Sequence, residues 1–364
     1  MQLYLRKISF MAGLLVITSC AAPPVIEQKP ETIDLIKAGV PQNPALNISV
    51  VVFDKGLTSN QQSIGAKVFA PLRTAEADYL PFTLRETLVE SGHWGAVRVL
   101  PEVDPTAEVL VTAEILSSNG VELKLHVRAT DSTGRIWLDQ EYSDWATDHA
   151  YEFDEENLVE PFQDLFNKVA KDMYMVRENL AEFELSHVLD TATLRYALAL
   201  SPQAFGEYIT ATDDGLIQMS GLPARDDAMY VRVNKIRESE YAFIDTVDEQ
   251  FENFYKKMRL TYAYWRRYSY ELIEYSKKIE QSGSIGARSR EGSWTSMENV
   301  YKTYKESKMN EDSLREMAAS FDNEISPTVT ELEGTVIRLN GSLQAQYEEW
   351  RRLLQEIYAT ERGS

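Results

Sequence analysis

Among 364 residues there is one cysteine, Cys20, and there are four histidines. A lone thiol forms no internal disulfide, so the fold draws nothing from cross-links. His93, His126, His149 and His187 lie far apart and share no metal-ligand spacing. Basic residues are scarce too: Lys and Arg total 37 against 57 Asp and Glu, a net charge of −20. Nucleic-acid binding is driven by Lys and Arg displacing phosphate counterions, so this balance argues strongly against nucleic acid as a partner. Beyond residue 20 no apolar run approaches the roughly 20 residues that a membrane-spanning helix needs. The GxSxG elbow, HExxH, the P-loop and GxGxxG are all missing. The expectation is a non-enzyme with no catalytic residue, no metal and no cofactor.

What is present begins at the N-terminus, MQLYLRKISFMAGLLVITSCAAPP. Arg6 and Lys7 precede an apolar stretch from Ile8 to Ile17, too short for a permanent span, with small residues after it. That is the pattern of a signal peptide covering residues 1–19. Ile17-Thr18-Ser19-Cys20 resembles the bacterial lipobox, which implies cleavage before Cys20 and acylation of its thiol. Ala21 and Ala22, rather than aspartate, follow it. This resembles the outer-membrane sorting pattern of Gram-negative lipoproteins and implies an outer-membrane anchor facing the periplasm. Several acyl chains hold a protein firmly where one holds it marginally. Cleavage would leave 345 residues with a net charge of −22, so contact with the membrane is expected through lipid only.

Length predicts about two domains after the leader. Residues 20–46 carry Pro23, Pro24, Pro30, Pro41 and Pro44 and read as a lipidated, extended, weakly ordered tether. Residues 47–182 read as one α/β domain of order β-α-β-β-β-β-α. Its pieces are a strand from Ile48, a helix from Tyr79 to Ser91, and strands at Trp94–Leu100, Glu108–Ser117, Val121–Thr130 and Arg135–Tyr142. A helix from Leu158 to Leu180 closes it. Asn119-Gly120 and Asp131-Ser132-Thr133-Gly134 are the hairpin turns.

The succession LRETLVESG, VRVLPE, AEVLVTAEIL and ELKLHVRATDSTGRIWLDQEY is similar to a known periplasmic domain. Curli-secretion lipoproteins, penicillin-binding-protein activator lipoproteins and the N-terminal domain of TolB share that domain. The resemblance covers about 100 residues, and its most telling piece is the DSTG hairpin with a tryptophan in the return strand. It implies a part in regulating a peptidoglycan synthase or in assembling a secretion or surface complex.

Residues 183–227 read as a connecting segment with a short helix at Ala192–Leu200 and a turn at Thr212–Gly215. Residues 228–364 read as helical. From Ile244 a strict 3-4 spacing runs through Val247, Phe251, Phe254, Met258, Thr261 and Trp265 to Ile279. A weaker helix is expected over Met297–Phe321. A third is expected from Pro327, with a stripe of Val329, Leu332, Val336, Leu339, Leu343, Gln346, Trp350, Leu353 and Ile357. The fold class expected is therefore α+β: a small α/β sandwich, then an elongated antiparallel helical bundle.

Three local runs are read as structure rather than chemistry. A single Asp131-Ser-Thr-Gly lacks the second carboxylate of an aspartic protease. The acidic run from Asp148 to Glu156 lacks the EF-hand alternation and glycine. Gly283 to Gly292 lacks a phosphate loop's lysine and preceding strand. One feature exceeds a plain core: aromatics off the stripe, notably Tyr241, Tyr255, Tyr262 and Tyr264. Either the bundle covers a second face, or these tyrosines bind a partner, since tyrosine joins area with a polar tip. The expected function is a non-enzymatic envelope scaffold or accessory factor that binds other envelope proteins, with a homo-oligomer left open. The alternative is a binding module for a small ligand or glycan.

Overall fold

The computed structural model describes residues 32–39, 44–56, 70–147, 149–152, 158–282, 328–332 and 335–362. Its centre is a five-stranded sheet of order β2-β1-β3-β4-β5. The strands are β1 (Ile48–Val51), β2 (Val97–Leu100), β3 (Val109–Ser118), β4 (Glu122–Asp131) and β5 (Ile136–Trp145). β1 runs parallel to β2 and β3, while β3, β4 and β5 form the antiparallel meander. Alternation in β4 has the expected sense: Leu123, Leu125, Val127 and Ala129 are buried. The opposite face carries surface pairs such as Lys124–Glu141 and Arg128–Asp139.

Helix α1 (Ala70–Ser91) begins nine residues before the expected Tyr79. It is not one-sided: every residue from Tyr79 to Leu84 is buried, so the helix is covered by the sheet and by a second layer. Pro81 lies inside it and has no N–H for the carbonyl of Ala77. The backbone N–H of Phe53, just past β1, donates to that carbonyl at 3.0 Å, so the proline is accommodated by the sheet. Helix α2 (Gln163–Glu178) buries Leu165, Phe166, Val169 and Met173. The order β-α-β-β-β-β-α is the one the hydrophobic pattern predicts.

Two expectations are corrected. The proline-rich stretch is not loose throughout. Ile33 N–H donates to Asp164 Oδ1 at 3.0 Å, and Asn167 Nδ2 donates to Ile33 O at 2.7 Å. His93 Nε2–H meets Ile36 O at 3.0 Å, Ala38 N–H meets Ser91 O at 2.8 Å, and Arg177 Nη2 donates to Pro44 O at 3.1 Å. Residues 32–39 and 44–46 form a strap along α2, held mostly through main-chain groups that proline spacing does not reveal. The second correction concerns Pro327 onward. Thr328–Leu332 and Thr335–Leu339 form an antiparallel hairpin, β8 and β9, and not the start of a helix. Six of their ten residues are β-branched, which favours a pleated strand over a helical turn.

The remaining elements are α3 (Glu182–Leu200), α4 (Pro202–Phe205), the hairpin β6 (Ile209–Ala211) and β7 (Ile217–Met219), α5 (Ala228–Ser282), and α6 (Leu343–Arg362). The expected Thr212–Gly215 turn joins β6 to β7, with Gly215 at φ +84. One hydrophobic cluster runs without a break from the sheet through Leu185, Val188 and Tyr196 of α3 to α5 and α6. Phe243 of α5 stacks on Trp350 of α6 with ring centroids 4.9 Å apart. Gln346, the polar member of the α6 stripe, is fully buried, accepts from Thr328 N–H at 3.3 Å and donates to Gly341 O at 3.1 Å. Its polarity pins the β8–β9 hairpin to α6. The helix expected over Met297–Phe321 lies outside the described residues.

Candidate functional site

The chemistry-bearing side chains concentrate where α5 crosses the α/β unit. On α1, Arg73, Glu76, Tyr79 and Thr83 recur at helical spacing on the face turned to α5. On α5, Tyr255, Tyr262 and Arg266 answer them. Tyr79 lies 4.6 Å from the Tyr255 ring and 4.2 Å from the Tyr262 ring. Tyr262 Oη donates to Glu76 Oε1 at 3.1 Å and accepts from Arg266 Nε at 2.5 Å. Ser118 Oγ donates to the same carboxylate oxygen at 2.5 Å. Arg73 Nε sits 3.5 Å from Glu76 Oε2, and Arg266 Nη2 sits 3.6 Å from Oε1. Glu76 and Arg266 are both 0% exposed. The Arg266 guanidinium also covers the Phe162 ring at 4.4 Å. Burial alone would lower its pKa, but Tyr262, Glu160 and Glu76 around it hold it above the usual arginine range. Burial raises the Tyr262 and Tyr255 phenols.

Two of the four expected partner-binding tyrosines are thereby corrected. Tyr255 and Tyr262 are 4% and 2% exposed, packed against α1 of their own chain. The reason is the period of the stripe. A strict 3-4 repeat needs a supercoil, and a straight helix drifts about 20° per heptad from it. By Thr261 the drift has turned the expected position out to solvent, and Tyr262 has taken its place. Tyr241 is half-buried between guanidinium groups, with Arg98 at 4.3 Å and Arg237 at 5.3 Å from its ring. Burial pushes its phenol to about 12. Tyr264 is exposed at 45%. Cys20, the expected lipidation site, lies outside the described residues.

A second cluster was missed in the sequence because its members come from four distant stretches. Arg351 of α6 donates from Nε to Glu240 Oε1 of α5 at 3.0 Å and from Nη2 to Asp104 Oδ2 at 2.9 Å. Arg237 donates to Thr193 Oγ1 at 2.8 Å and to Thr106 O at 3.1 Å. Burial and Glu240 raise the Tyr196 phenol. Asp104, Tyr196, Leu200, Glu240, Arg351 and Leu354 line a cleft of about 150 Å³. Pockets for drug-sized ligands run roughly 300–1,000 Å³, so this one admits only a small group.

The histidines stay apart. His93 is buried and stacked on Tyr174 at 4.0 Å, His126 pairs with Asp139 at 2.9 Å on the surface, and His149 lies beside Glu152. Asp131 caps its own turn: Oδ1 accepts from Thr133 N–H at 2.9 Å, and Oδ2 accepts from Trp137 Nε1 at 2.8 Å. Among the described residues no three His, Cys, Asp or Glu side chains gather as metal ligands, and no helix is long and apolar enough to cross a membrane. The glycine-rich run from Gly283 to Gly292 lies outside the described residues, as does most of the acidic run.

No protein-family model matches the chain, and no curated protein matches it. One solved structure, a protein from Xanthomonas campestris, is similar at 11% identity, covering 43% of this chain and 96% of that one, with a TM-score of 0.25. A likeness that weak carries no argument.

Proposed function

We propose that this chain is a lipid-anchored envelope protein that works as a non-enzymatic scaffold, binding other envelope proteins in the periplasm. The observation that carries the reading is the joint between its halves. α5 is 55 residues long, about 80 Å at 1.5 Å per residue. Its first two-thirds share one core with the α/β unit through Phe243, Tyr255 and Tyr262. A long helix held this way is an arm with a fixed direction, which suits presenting a surface rather than turning over a substrate. The signal peptide and the lipobox at Cys20 support the anchor, and the α/β order supports kinship with the periplasmic domain of synthase-activating and secretion lipoproteins. The helical half is proposed to complete an elongated antiparallel bundle around α5 and α6.

The cleft beside Arg351 favours the second reading, a small-ligand or glycan module. Its volume and its clamped guanidinium favour it less, because both carboxylates that surround the cation are already engaged.

The test is metabolic labelling with a fatty acid, followed by purification of the acylated chain from solubilised membranes. Label lost in Cys20→Ala and one stoichiometric protein partner would support the scaffold. Label retained in Cys20→Ala sinks lipidation at this site, and a co-purifying sugar without a protein partner favours the ligand module.

A further inference from the structure

We propose that the outer edge of β5 takes an extended basic segment of a partner protein as an added strand of the five-stranded sheet. The inference rests on the scaffold reading above and gives it one binding surface.

The two edges of the sheet are finished differently. At the β2 edge the outward groups are taken by side chains: Arg85 Nε donates to Val97 O at 3.0 Å, and Val99 N–H donates to Asp248 Oδ2 at 3.2 Å. Asp248 belongs to α5, so the long helix helps to close that edge. β5 is the other edge, ten residues long. Which of its groups face inward follows from the hydrogen bonds at the strand ends. Ala146 N–H donates to Val121 O, and Asn119 N–H donates to Glu122 O, each at 2.9 Å. Odd-numbered residues of β4 therefore bond to β5, and even-numbered ones to β3. With Leu125 opposite Tyr142 and Val127 opposite Gln140, the even-numbered residues of β5 bond inward. The N–H and C=O groups of Asp139, Glu141 and Ser143 point outward, and among the described residues nothing bonds to them. Trp145 N–H is taken by Asp144 Oδ1 at 2.8 Å, which ends the open stretch. An open row of main-chain groups is a template for strand addition.

Charge decides the guest. On the solvent face of the sheet the strands alternate in sign. Glu114 of β3 stands opposite His126 of β4, and His126 stands opposite Glu141 of β5. Arg128 pairs with Asp139 at 2.9 Å, and Lys124 pairs with Glu141 at 2.5 Å. An acidic β5 calls for a basic neighbour, because opposite charges on adjacent strands stabilise and like charges do the reverse. A second copy is disfavoured on the same ground. Two β5 strands would pair antiparallel about a dyad, and a dyad at Gln140 or Glu141 sets acid against acid. The guest's alternate side chains fall on the α2 side of the sheet. There Gln140 and Tyr142 donate to Asp172 Oδ2 at 3.0 and 2.9 Å. Met175, one helical turn on, is 48% exposed and offers a soft apolar contact. The guest that fits alternates Lys or Arg with apolar residues across Asp139 to Ser143.

The full chain in detergent is titrated with an acetylated peptide, Gly-Lys-Val-Lys-Thr-Lys-Val-Lys-Gly, and followed by fluorescence anisotropy and by hydrogen exchange at single-amide resolution. Exchange at the Asp139, Glu141 and Ser143 amides should slow at least tenfold, while Leu138, Gln140 and Tyr142, already bonded to β4, change little. The same peptide with Glu for Lys should bind at least tenfold more weakly. Glu141→Pro removes an outward N–H and no ladder bond to β4, a place where an edge strand tolerates proline. It should weaken binding at least tenfold with the circular dichroism unchanged. Asp139→Asn combined with Glu141→Gln keeps the backbone intact and should weaken binding at least fivefold, so a proline variant that fails to fold does not end the test. Absence of binding by the Lys peptide, binding that survives both variants, or protection outside the alternating set overturns the proposal. So does self-association of the chain that Glu141→Pro abolishes, since the occupant is then a second copy. A protein partner that co-purifies equally with wild type and Glu141→Pro keeps the scaffold reading and overturns the edge as its site. Peptide capture at the edge with no co-purifying protein keeps the edge and overturns the scaffold.

Discussion

Replacing Glu76 with Leu isolates the charge network that joins α1 to α5. Glu76 and Arg266 are fully buried, with Nη2 and Oε1 3.6 Å apart. At an effective dielectric constant of 20 their attraction is about 4–5 kcal/mol. Removing two ions from water costs several kcal/mol each, so the pair as a whole stabilises little. Breaking it is another matter. Glu76→Leu leaves the buried Arg266 guanidinium with the Tyr262 hydroxyl and the Glu160 carboxylate but without its partner on α1, and it takes a carboxylate from Arg73, whose Nη1 still donates to Ile115 O at 2.6 Å. The expected loss is about 3–5 kcal/mol. Adding Arg266→Met removes the stranded charge and should restore at least half of that loss, a coupling of about 2–3 kcal/mol. Urea denaturation of wild type, both single variants and the double variant at 25 °C measures it. Tryptophan fluorescence and far-ultraviolet circular dichroism should report one shared transition, because one core spans both halves. Strictly additive single losses would refute the argument that these two groups compensate each other.

Thermal melting should rank the aromatics: Tyr255→Ala and Trp350→Ala each lose about 3–5 kcal/mol as buried truncations, whereas Tyr264→Ala stays within about 0.5 kcal/mol. Gly120→Ala places a Cβ 2.6 Å from the Arg266 carbonyl and 2.2 Å from Tyr270 N, backbone atoms that cannot rotate away, and should cost about 1–3 kcal/mol in the same assay. Burial raises Asp248 to about 7. Below its unfolded value of about 3.9 both states hold the proton. Between that value and 7 the folded state binds more protons than the unfolded, so this residue's stabilising contribution is lost as pH rises. The ceiling is about 4 kcal/mol at 1.36 kcal/mol per unit, what remains of the burial effect after Arg85 Nε at 3.6 Å and Val99 N–H have favoured the ionised form. Asp248→Asn should flatten the difference in unfolding free energy between pH 5 and pH 8, and an unchanged slope would show that another group carries it.

The sheet was legible because alternation in Val109–Ile115 and Leu123–Ala129 marks a half-buried strand without help from the rest of the chain. The Asn119-Gly120 and Asp131–Gly134 turns were legible for the same local reason: their side chains and glycines bond within four residues. The strap was not, since what holds it is backbone donated to Asp164 and accepted from Asn167, more than 130 residues away. The burial of Tyr255 and Tyr262 was one of two readings left open, because the stripe does not show a rotation of less than one residue accumulated over about two and a half heptads. The cleft at Arg351 was invisible, because Asp104, Glu240 and Arg351 meet only after α5 and α6 have packed.

Arginine explains why α5 takes a single register. An apolar stripe alone tolerates sliding by a turn, since each apolar position finds another apolar position. Polar pins do not. Arg98 grips Asp245 through two bonds of 2.7 and 3.0 Å, tying β2 to the first half of α5. Arg237 reaches Thr106 O, Arg266 reaches Glu76, and Arg351 bridges Glu240 to Asp104. Each contact joins elements distant in sequence, and Arg98, Arg237 and Arg351 each use two nitrogens of the planar fork that lysine lacks. A slip of one turn would leave Arg266 buried without its carboxylate, at a cost comparable to the roughly 3–5 kcal/mol of the Glu76 variant. In a chain with 20 more acids than bases, these cations are held at the joints and not spread over the surface. The direction of the arm is therefore written in charge pairs, while its stability comes from aromatic burial.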